Sequence, residues 1–298
     1  MKLKAAALAL LLLATPAGAA TIADVQKAYD AGDFATALAE VKPLADGGDV
    51  VAMRLLGLMY RKGQGVTQDT DTAIDWLTRA ADKNDAEAQY ALGMIWLDPK
   101  DARFDFTKGQ ALLRQAADAG IAEAQFNMGL IASGAFDNPS DYAAAAGWFQ
   151  KAADKGNMAA SYNLGVLYLE GQGVPKDPVK AATLIGAAAD KGNPDAMLDY
   201  GVLVFRGEGV QRNEKIGAQW LVFAAKRGNP IAQNRVARLY LFGKGVDSDP
   251  VEAMKWNILA GKGGRGDAEL DSMLAKLTDA QKQEAQSRAD AFTPVAVK

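Results

Sequence analysis

Carboxylates are the side chains of this sequence that could carry acid–base chemistry, because it contains neither histidine nor cysteine. The chain therefore lacks the commonest general base, a Ser-His-Asp triad, a thiolate nucleophile and any cysteine-based zinc site. Carboxylates alone could bind calcium or magnesium, yet no EF-hand spacing is present. A Gly-x-Ser-x-Gly motif is also missing, so a serine nucleophile would need a lysine base. We expect no catalytic residues, no metal site and no cofactor.

Four glycine-rich segments could suggest nucleotide-binding loops. They are Gly63-Gln64-Gly65-Val66, Gly171-Gln172-Gly173-Val174, Gly207-Glu208-Gly209-Val210 and Gly243-Lys244-Gly245-Val246. A phosphate-binding loop of this kind needs a strand before it and a helix N-terminus after it. Here each segment lies between two predicted helices. We interpret the segments as turns, in which glycine takes the left-handed conformation that ends a helix.

The sequence repeats with a period of 36 residues over about residues 49–264. One alanine register contains Ala52, Ala88, Ala124, Ala160, Ala196 and Ala232. A glycine register contains Gly57, Gly93, Gly129, Gly165 and Gly201, with Ala237 in the sixth position. A second alanine register contains Ala80, Ala116, Ala152, Ala188, Ala224 and Ala260. Six repeats of constant length predict a repeat architecture.

Each repeat is predicted to form two helices. Ala52, Leu56 and Tyr60 are four residues apart and share one face of the first helix, where Gly57 lets a neighbouring helix approach. Trp76, with alanines around it, marks the buried stripe of the second helix. That aromatic or leucine register continues as Leu112, Trp148, Leu184, Trp220 and Trp256. We interpret these tryptophans as core residues and not as a carbohydrate-stacking stripe.

Short polar residues stand where the helices are predicted to begin, as N-caps do. Before the first helices these residues are Asp49, Asp85, Asn157, Asn193 and Asn229, and Ile121 breaks the series. Before the second helices they are Asp69, Asp105, Asp141, Asp177, Asn213 and Asp249. Glu252 is predicted to complete a capping box with Asp249.

These motifs together resemble the Sel1-like repeat, a relative of the tetratricopeptide repeat. The resemblance rests on Ala-x-x-x-Leu-Gly-x-x-Tyr, then Gly-x-Gly-Val, then Asp-x-x-x-Ala-x-x-Trp-x-x-x-Ala-Ala, and it implies an all-α, right-handed solenoid of six helix pairs. Residues 21–48 and 265–298 are expected to form degenerate capping helices, with a frayed tail from Thr293. Pro99-Lys100-Asp101 and Ala135-Phe136-Asp137 replace the glycines in two turns, so those turns should differ in shape. Well-capped ends favour a monomer.

The N-terminus is predicted to be a secretory signal peptide, residues 1–20. Lys2 and Lys4 precede an apolar run from Ala5 to Ala14, and small residues follow Pro16. A ten-residue run is too short to span a bilayer, which needs roughly 20 residues. Loss of two lysines from 33 basic residues leaves 31 against 36 acidic ones, a net charge of −5. This charge argues against nucleic-acid binding, and export favours a periplasmic location.

The resemblance implies that the first helices line a concave groove for an extended partner. The candidate groove residues are Glu87, Tyr90, Glu123, Phe126, Asn127, Tyr162, Asn163, Asp195, Asp199, Arg235 and Arg238. One position varies strongly between repeats: Leu55, Ala91, Asn127, Asn163, Asp199 and Arg235. The aromatic residues could equally pack between repeats, and the polar ones could form a solvated face.

The expected function is a periplasmic scaffold or regulator that binds an envelope protein or a membrane sensor protein. Binding of peptidoglycan or an exopolysaccharide is the alternative, and it would require exposed aromatic rings in the groove. Some exported Sel1-type proteins are linked to β-lactam binding or hydrolysis. Those proteins have a disulfide in each repeat, so the absence of cysteine makes that activity the least favoured.

Overall fold

The computed structural model describes residues 20–295, which form sixteen α-helices, one short 3-10 helix and no β-strand. The chain divides into two compact units, the first ending at Gln115 and the second beginning at Ala116. Except for Ala20, the predicted signal peptide lies outside the described residues. None of the helices between residues 20 and 295 combines the length and apolar character needed to span a bilayer.

In the first unit, helices that are consecutive in sequence pack against each other. Its helices are α1 (Ile22–Asp30), α2 (Phe34–Asp46), α3 (Val50–Lys62), α4 (Thr70–Ala81), α5 (Ala86–Trp96) and the larger part of α6 (Phe106–Asp118).

The second unit continues this pattern up to its end, where the last helix packs against the third-last helix and not against its immediate predecessor. After the end of α6 it contains α7 (Ala122–Ala132), a 3-10 helix (Ala135–Asp137), α8 (Tyr142–Asp154), α9 (Met158–Glu170), α10 (Pro178–Asp190), α11 (Pro194–Arg206), α12 (Glu214–Lys226), α13 (Pro230–Phe242), α14 (Pro250–Lys262), α15 (Ala268–Leu274) and α16 (Asp279–Asp290).

One contact joins the two helices in each of the first five repeats. A glycine in the first helix lies against a large apolar side chain in the second: Gly57 with Leu77, Gly93 with Leu113, Gly129 with Phe149, Gly165 with Ile185, and Gly201 with Leu221. A Cβ added at Gly165 would lie only 2.6 Å from Cγ1 of Ile185. The missing side chain therefore sets the helix spacing, as predicted, and the second helix fills the gap.

The apolar partners of these glycines correct the predicted core register. Leu77, Leu113 and Ile185 are fully buried, whereas Trp76, one residue earlier than Leu77, is half-buried. The guanidinium of Arg79 lies 4.0 Å from the Trp76 ring centroid. Trp148 and Trp256 are buried as predicted. Both registers have the same period, so periodicity alone could not choose between them.

An equivalent backbone hydrogen bond closes the turn between the two helices in each of the six repeats. The N–H of the residue that caps the second helix donates to a carbonyl in the last part of the first helix: Asp69 to Tyr60, Asp105 to Trp96, Asp141 to Ala132, Asp177 to Tyr168, Asn213 to Val204 and Asp249 to Tyr240, at 2.7–3.0 Å. The two turns without glycine pairs differ in shape, as predicted. In one, Arg103 binds Asp101; in the other, Phe136 has positive φ.

The second glycine of each Gly-x-Gly turn has a packing role that its sequence did not reveal. Gly65, Gly173, Gly209 and Gly245 have positive φ. A Cβ at each would collide with the backbone at the first residue of an earlier helix, Phe34, Tyr142, Pro178 and Glu214 respectively. The glycine pair thus ends one helix and allows contact with the previous pair.

The predicted N-caps are confirmed, with one correction. Each predicted Asp or Asn accepts a backbone N–H of its own helix, and Ile121 makes no side-chain cap. Glu252, however, does not close a capping box with Asp249. Its carboxylate accepts from Lys255 Nζ at 2.7 Å and from Arg288 at 3.1 Å, because these cations compete successfully for it.

The C-terminal segment also differs from expectation. The ring of Phe292 packs edge-on against Trp256, with centroids 5.5 Å apart, and Val295 N–H donates to the Lys226 carbonyl at 2.9 Å. The expected fraying from Thr293 is therefore wrong for the described residues. Residues 21–48 contain α1 and α2, and residues 265–295 contain α15 and α16, with Asp33 and Thr278 as N-caps of α2 and α16.

Candidate partner-binding surface

The predicted groove residues all lie on first helices, and their surroundings differ between the two units. In the first unit, Glu87 and Tyr90 border a cavity of about 520 Å³ together with Arg54 and Arg61. Arg54 is already paired with Asp85 at 3.1 Å, and Arg61 donates to the Ala91 carbonyl at 3.4 Å. The cations beside this cavity are therefore engaged within the unit.

In the second unit, the two asparagines predicted to contact a peptide are partly used by their own helices. Asn127 Nδ2 donates to the Glu123 carbonyl, and Asn163 Nδ2 donates to the Ala159 carbonyl, both at 2.8 Å. Each bond spans four residues of one helix. The amide oxygens remain the groups with which these side chains could accept a partner's N–H.

Tyr162 and Asp199 connect α9 with α11. The Tyr162 hydroxyl donates to Asp199 Oδ2 at 2.8 Å. Burial raises the pKa of Asp199, and Asp195 adds to this rise, whereas Tyr162 and Arg235 oppose it. Burial beside this carboxylate also raises the pKa of Tyr162. The pair acts mainly as a structural link between neighbouring first helices.

The aromatic candidates are half-buried. Phe126 packs against Phe149, with ring centroids 5.9 Å apart, and Tyr162 is tied to Asp199. Tyr90 is similarly half-buried. This arrangement fits packing better than sugar stacking, which needs an open ring face.

Arg238 is held by a carboxylate that sequence reasoning missed. Its guanidinium donates to Asp267 Oδ2 at 2.7 Å and to Glu269 at 2.9 Å, while Asn234 donates to the same Asp267 oxygen at 2.9 Å. The Asn234 hydrogen bond, followed by the α15 backbone and Arg238, lowers the pKa of Asp267 to about 2. The N-cap position of Asp267 was the available signal, but its approach to α13 depends on tertiary packing.

Arg235 has a different environment from Arg238. Arg235 and Arg206 are exposed, and within the described part of the chain neither side chain makes a hydrogen bond or ion pair. Together with Arg238, both border a cavity of about 200 Å³. The walls of this cavity include Val202, Phe205, Leu221 and Leu239. An adjoining cavity of about 430 Å³ adds Arg265. The closeness of Arg206 to Arg235 depends on the packing of α11 and α13, so the repeat pattern alone did not reveal it.

No cluster of three or more Asp, Glu, His or Cys side chains suited to a metal ion occurs among the described residues. What the second unit offers on its first helices is unpaired guanidinium groups beside an apolar cavity. Such a surface suits binding of anionic and apolar groups.

Comparison with known proteins agrees with this architecture. The Sel1 repeat matches residues 50–85, 86–121, 122–157, 159–193, 194–229 and 230–264. A Sel1 repeat protein from Oxalobacter formigenes is 30% identical, with a TM-score of 0.71 over 82% of this chain and 100% of that chain. A protective antigen of uropathogenic Escherichia coli with an SLR fold is 25% identical, with a TM-score of 0.63 over 90% of this chain and 67% of that one.

A search of curated protein sequences found no match. The predicted all-α solenoid of six helix pairs is confirmed by the tandem repeats and their structural neighbours. Because six Sel1 repeats account for most of residues 50–264, the chain belongs to the Sel1 repeat family.

Proposed function

We propose that this protein is an exported interaction scaffold that binds an envelope protein along the outward side of the first helices of its second unit. The Sel1 repeat fold generally serves as a scaffold for protein–protein interaction. Periplasmic location rests on the N-terminal sequence pattern, with its two lysines, apolar run and small residues. A membrane sensor or a subunit of an envelope assembly would be a suitable partner.

One observation carries the proposal. On the same first helices, the side that faces the second helices repeats closely, whereas the outward side changes from Asn127 to Asn163, Asp199 and Arg235. Packing within the repeat does not require this variation. A partner that contacts several repeats would need different groups at successive positions.

The test is cross-linking in living cells followed by purification of the tagged protein. The variant carries Asn127→Ala, Asn163→Ala, Asp199→Asn and Arg235→Ala, so that Tyr162 keeps a hydrogen-bond acceptor. A matched variant carries Lys191→Ala and Lys215→Ala on exposed positions of the second unit.

We expect one envelope protein to be captured by the native protein and by the lysine variant, and lost from the first-helix variant. Equal capture by all three would place the binding surface elsewhere. Recovery of glycan in place of protein would support a wall or polysaccharide binder and contradict the proposal. Cleavage after Ala19 or Ala20, detected by mass spectrometry, would establish export.

A further inference from the structure

Arg206 and Arg235 form an unusual pair on the second unit. They belong to different first helices, α11 and α13, yet they border the same cavity. Most other arginines of this unit are engaged: Arg238 with Asp267, Arg288 with Glu252 and Glu284, and Arg212 with Glu214. Two exposed guanidinium groups at one cavity therefore create a local positive charge on a chain that is acidic overall.

The cavity between these arginines is mainly apolar. Val202 and Phe205 come from α11, Leu221 from α12 and Leu239 from α13. Its volume of about 200 Å³ exceeds that of an engineered cavity of about 150 Å³ that takes up benzene. An apolar side chain as large as leucine or phenylalanine can enter such a space.

Nearby carboxylates do not neutralise the two arginines by contact. Asp199 feels the charge of Arg235, which opposes the rise in the pKa of Asp199, but no hydrogen bond joins the two side chains. Asp267 and Glu269 are directed to Arg238. The donors of Arg206 and Arg235 remain available for a carboxylate, which guanidinium binds through two parallel hydrogen bonds.

We infer that Arg206 and Arg235 form a carboxylate-binding subsite, and that the adjoining cavity receives an apolar side chain of the same bound segment. The ligand is an extended partner segment with a carboxylate next to a leucine-sized or phenylalanine-sized residue. This inference rests on the proposed scaffold function and deepens it, because it states the chemistry of the bound segment. Arg238, fixed by Asp267, forms one wall of the subsite.

The probes are fluorescent octapeptides of Gly and Ser that end in Leu, measured by fluorescence polarisation with the purified mature protein. One has a free C-terminal carboxylate, one is amidated, and one is amidated with Glu placed before Leu. A fourth replaces Leu with Ser and keeps the carboxylate. Binding of the first alone assigns the subsite to a chain terminus, and binding of the Glu peptide assigns it to an acidic side chain.

We expect Arg206→Ala and Arg235→Ala each to weaken binding of the carboxylate probe about tenfold, in keeping with loss of a hydrogen bond to a charged group. Arg235→Lys should fall between Ala and the native residue, because lysine keeps the charge but not the planar fork. Lys191→Ala with Lys215→Ala should bind like the native protein. Circular dichroism of each variant confirms that it is folded.

Equal binding of the amidated neutral probe and the carboxylate probes would overturn the subsite, as would unchanged affinity of the Arg206→Ala, Arg235→Ala double variant. If that double variant still captures the same envelope protein in cells while the four-residue first-helix variant does not, the scaffold function stands and the subsite fails. If both the double variant and the four-residue variant still capture the envelope protein, the subsite and the proposed binding surface are both contradicted.

Discussion

The first helices of the two units differ in the chemistry of the side chains at one equivalent position of the repeat. In the first unit it holds Leu55 and Ala91, which are each only 7% exposed. In the second unit it holds the half-buried Asn127, Asn163 and Asp199, and then the exposed Arg235. The register thus changes from core to surface along the sequence.

This difference separates what builds the fold from what is free to bind. The glycine contacts and the turn-closing hydrogen bonds occur in both units, so they belong to the repeat itself. The variable register is packed in the first unit and polar in the second. Our proposal therefore places partner binding on the second unit, where the variable register is polar.

The largest effect is expected where the repeated contact is tightest. Gly129→Ala would place a Cβ against the ring of Phe149, so we expect a loss of about 1–3 kcal/mol in the free energy of unfolding from overpacking. Gly147→Ala is the matched control in the same repeat, because nothing lies within 4 Å of its added Cβ. It should be neutral, or stabilise by up to about 1 kcal/mol through helix propensity. Urea unfolding of both variants measures the difference, and equal stability would show that the glycine contact does not limit packing.

A somewhat smaller effect on stability is expected at Asp267, whose carboxylate is paired with Arg238 at the surface of the second unit. Asp267→Ala removes the N-cap of α15 and the acceptor for Arg238 and Asn234, which should cost about 1–2 kcal/mol. Glu269→Ala is the control, because its side chain is 62% exposed against 13% for Asp267. It should change stability by less than about 0.5 kcal/mol. Thermal unfolding that ranks the two in the opposite order would contradict the assigned role of Asp267.

The two carboxylates Asp267 and Asp199 should respond oppositely to pH. The folded-state pKa of Asp267 is about 2, below its ordinary 3.8, so its stabilising contribution is lost as pH falls through that range. The pKa of Asp199 is raised by burial, so its contribution is greatest at low pH and is lost as pH rises through the raised value.

Asp267→Asn should therefore reduce the amount of stability that the protein loses as pH falls from about 4 to 2. Asp199→Asn should increase that loss, because it removes a carboxyl group whose contribution to stability grows at low pH. Chemical unfolding at a series of pH values checks both slopes. Relative to the native protein, the two variants should change the dependence of stability on pH in opposite directions. Changes in the same direction would show that one of the two environments is wrongly described.

The smallest effect on stability is expected where the binding effect is largest. Arg206→Ala with Arg235→Ala removes exposed side chains that make no hydrogen bond or ion pair with the described residues, so the free energy of unfolding should change by no more than about 0.5 kcal/mol. Loss of partner binding without loss of stability would separate recognition from folding. A large loss of stability would show that the two arginines hold the fold.

Much of the fold could be predicted from sequence, because caps, turn glycines and helix faces are local features. The residues around Asp69 and Gly63 are enough to predict that Asp69 is the N-cap of α4 and that Gly63 ends α3. The choice between Trp76 and Leu77 as the core position could not be made, since both registers repeat together and a tryptophan beside Arg79 can remain half-exposed.

The candidate surface was less predictable, for a physical reason. Asn127, Asn163 and Arg235 were selected by their variation, and they stay predictions as binding residues. The contacts of Asp267 and the closeness of Arg206 to Arg235 were not predicted, because both arise from packing between different helices. A repeat pattern specifies which positions are core, but side-chain partners across helices depend on three-dimensional contact.

The most direct test of the central claim is site-specific photo-cross-linking in living cells. A photoreactive residue would replace Asn163 or Arg235 on first helices, and Thr183 or Gln219, both exposed, on second helices of the same unit. We predict that both first-helix positions form an adduct with the same protein and that neither second-helix position does. An adduct at Thr183 or Gln219 with none at Asn163 or Arg235 would contradict the account.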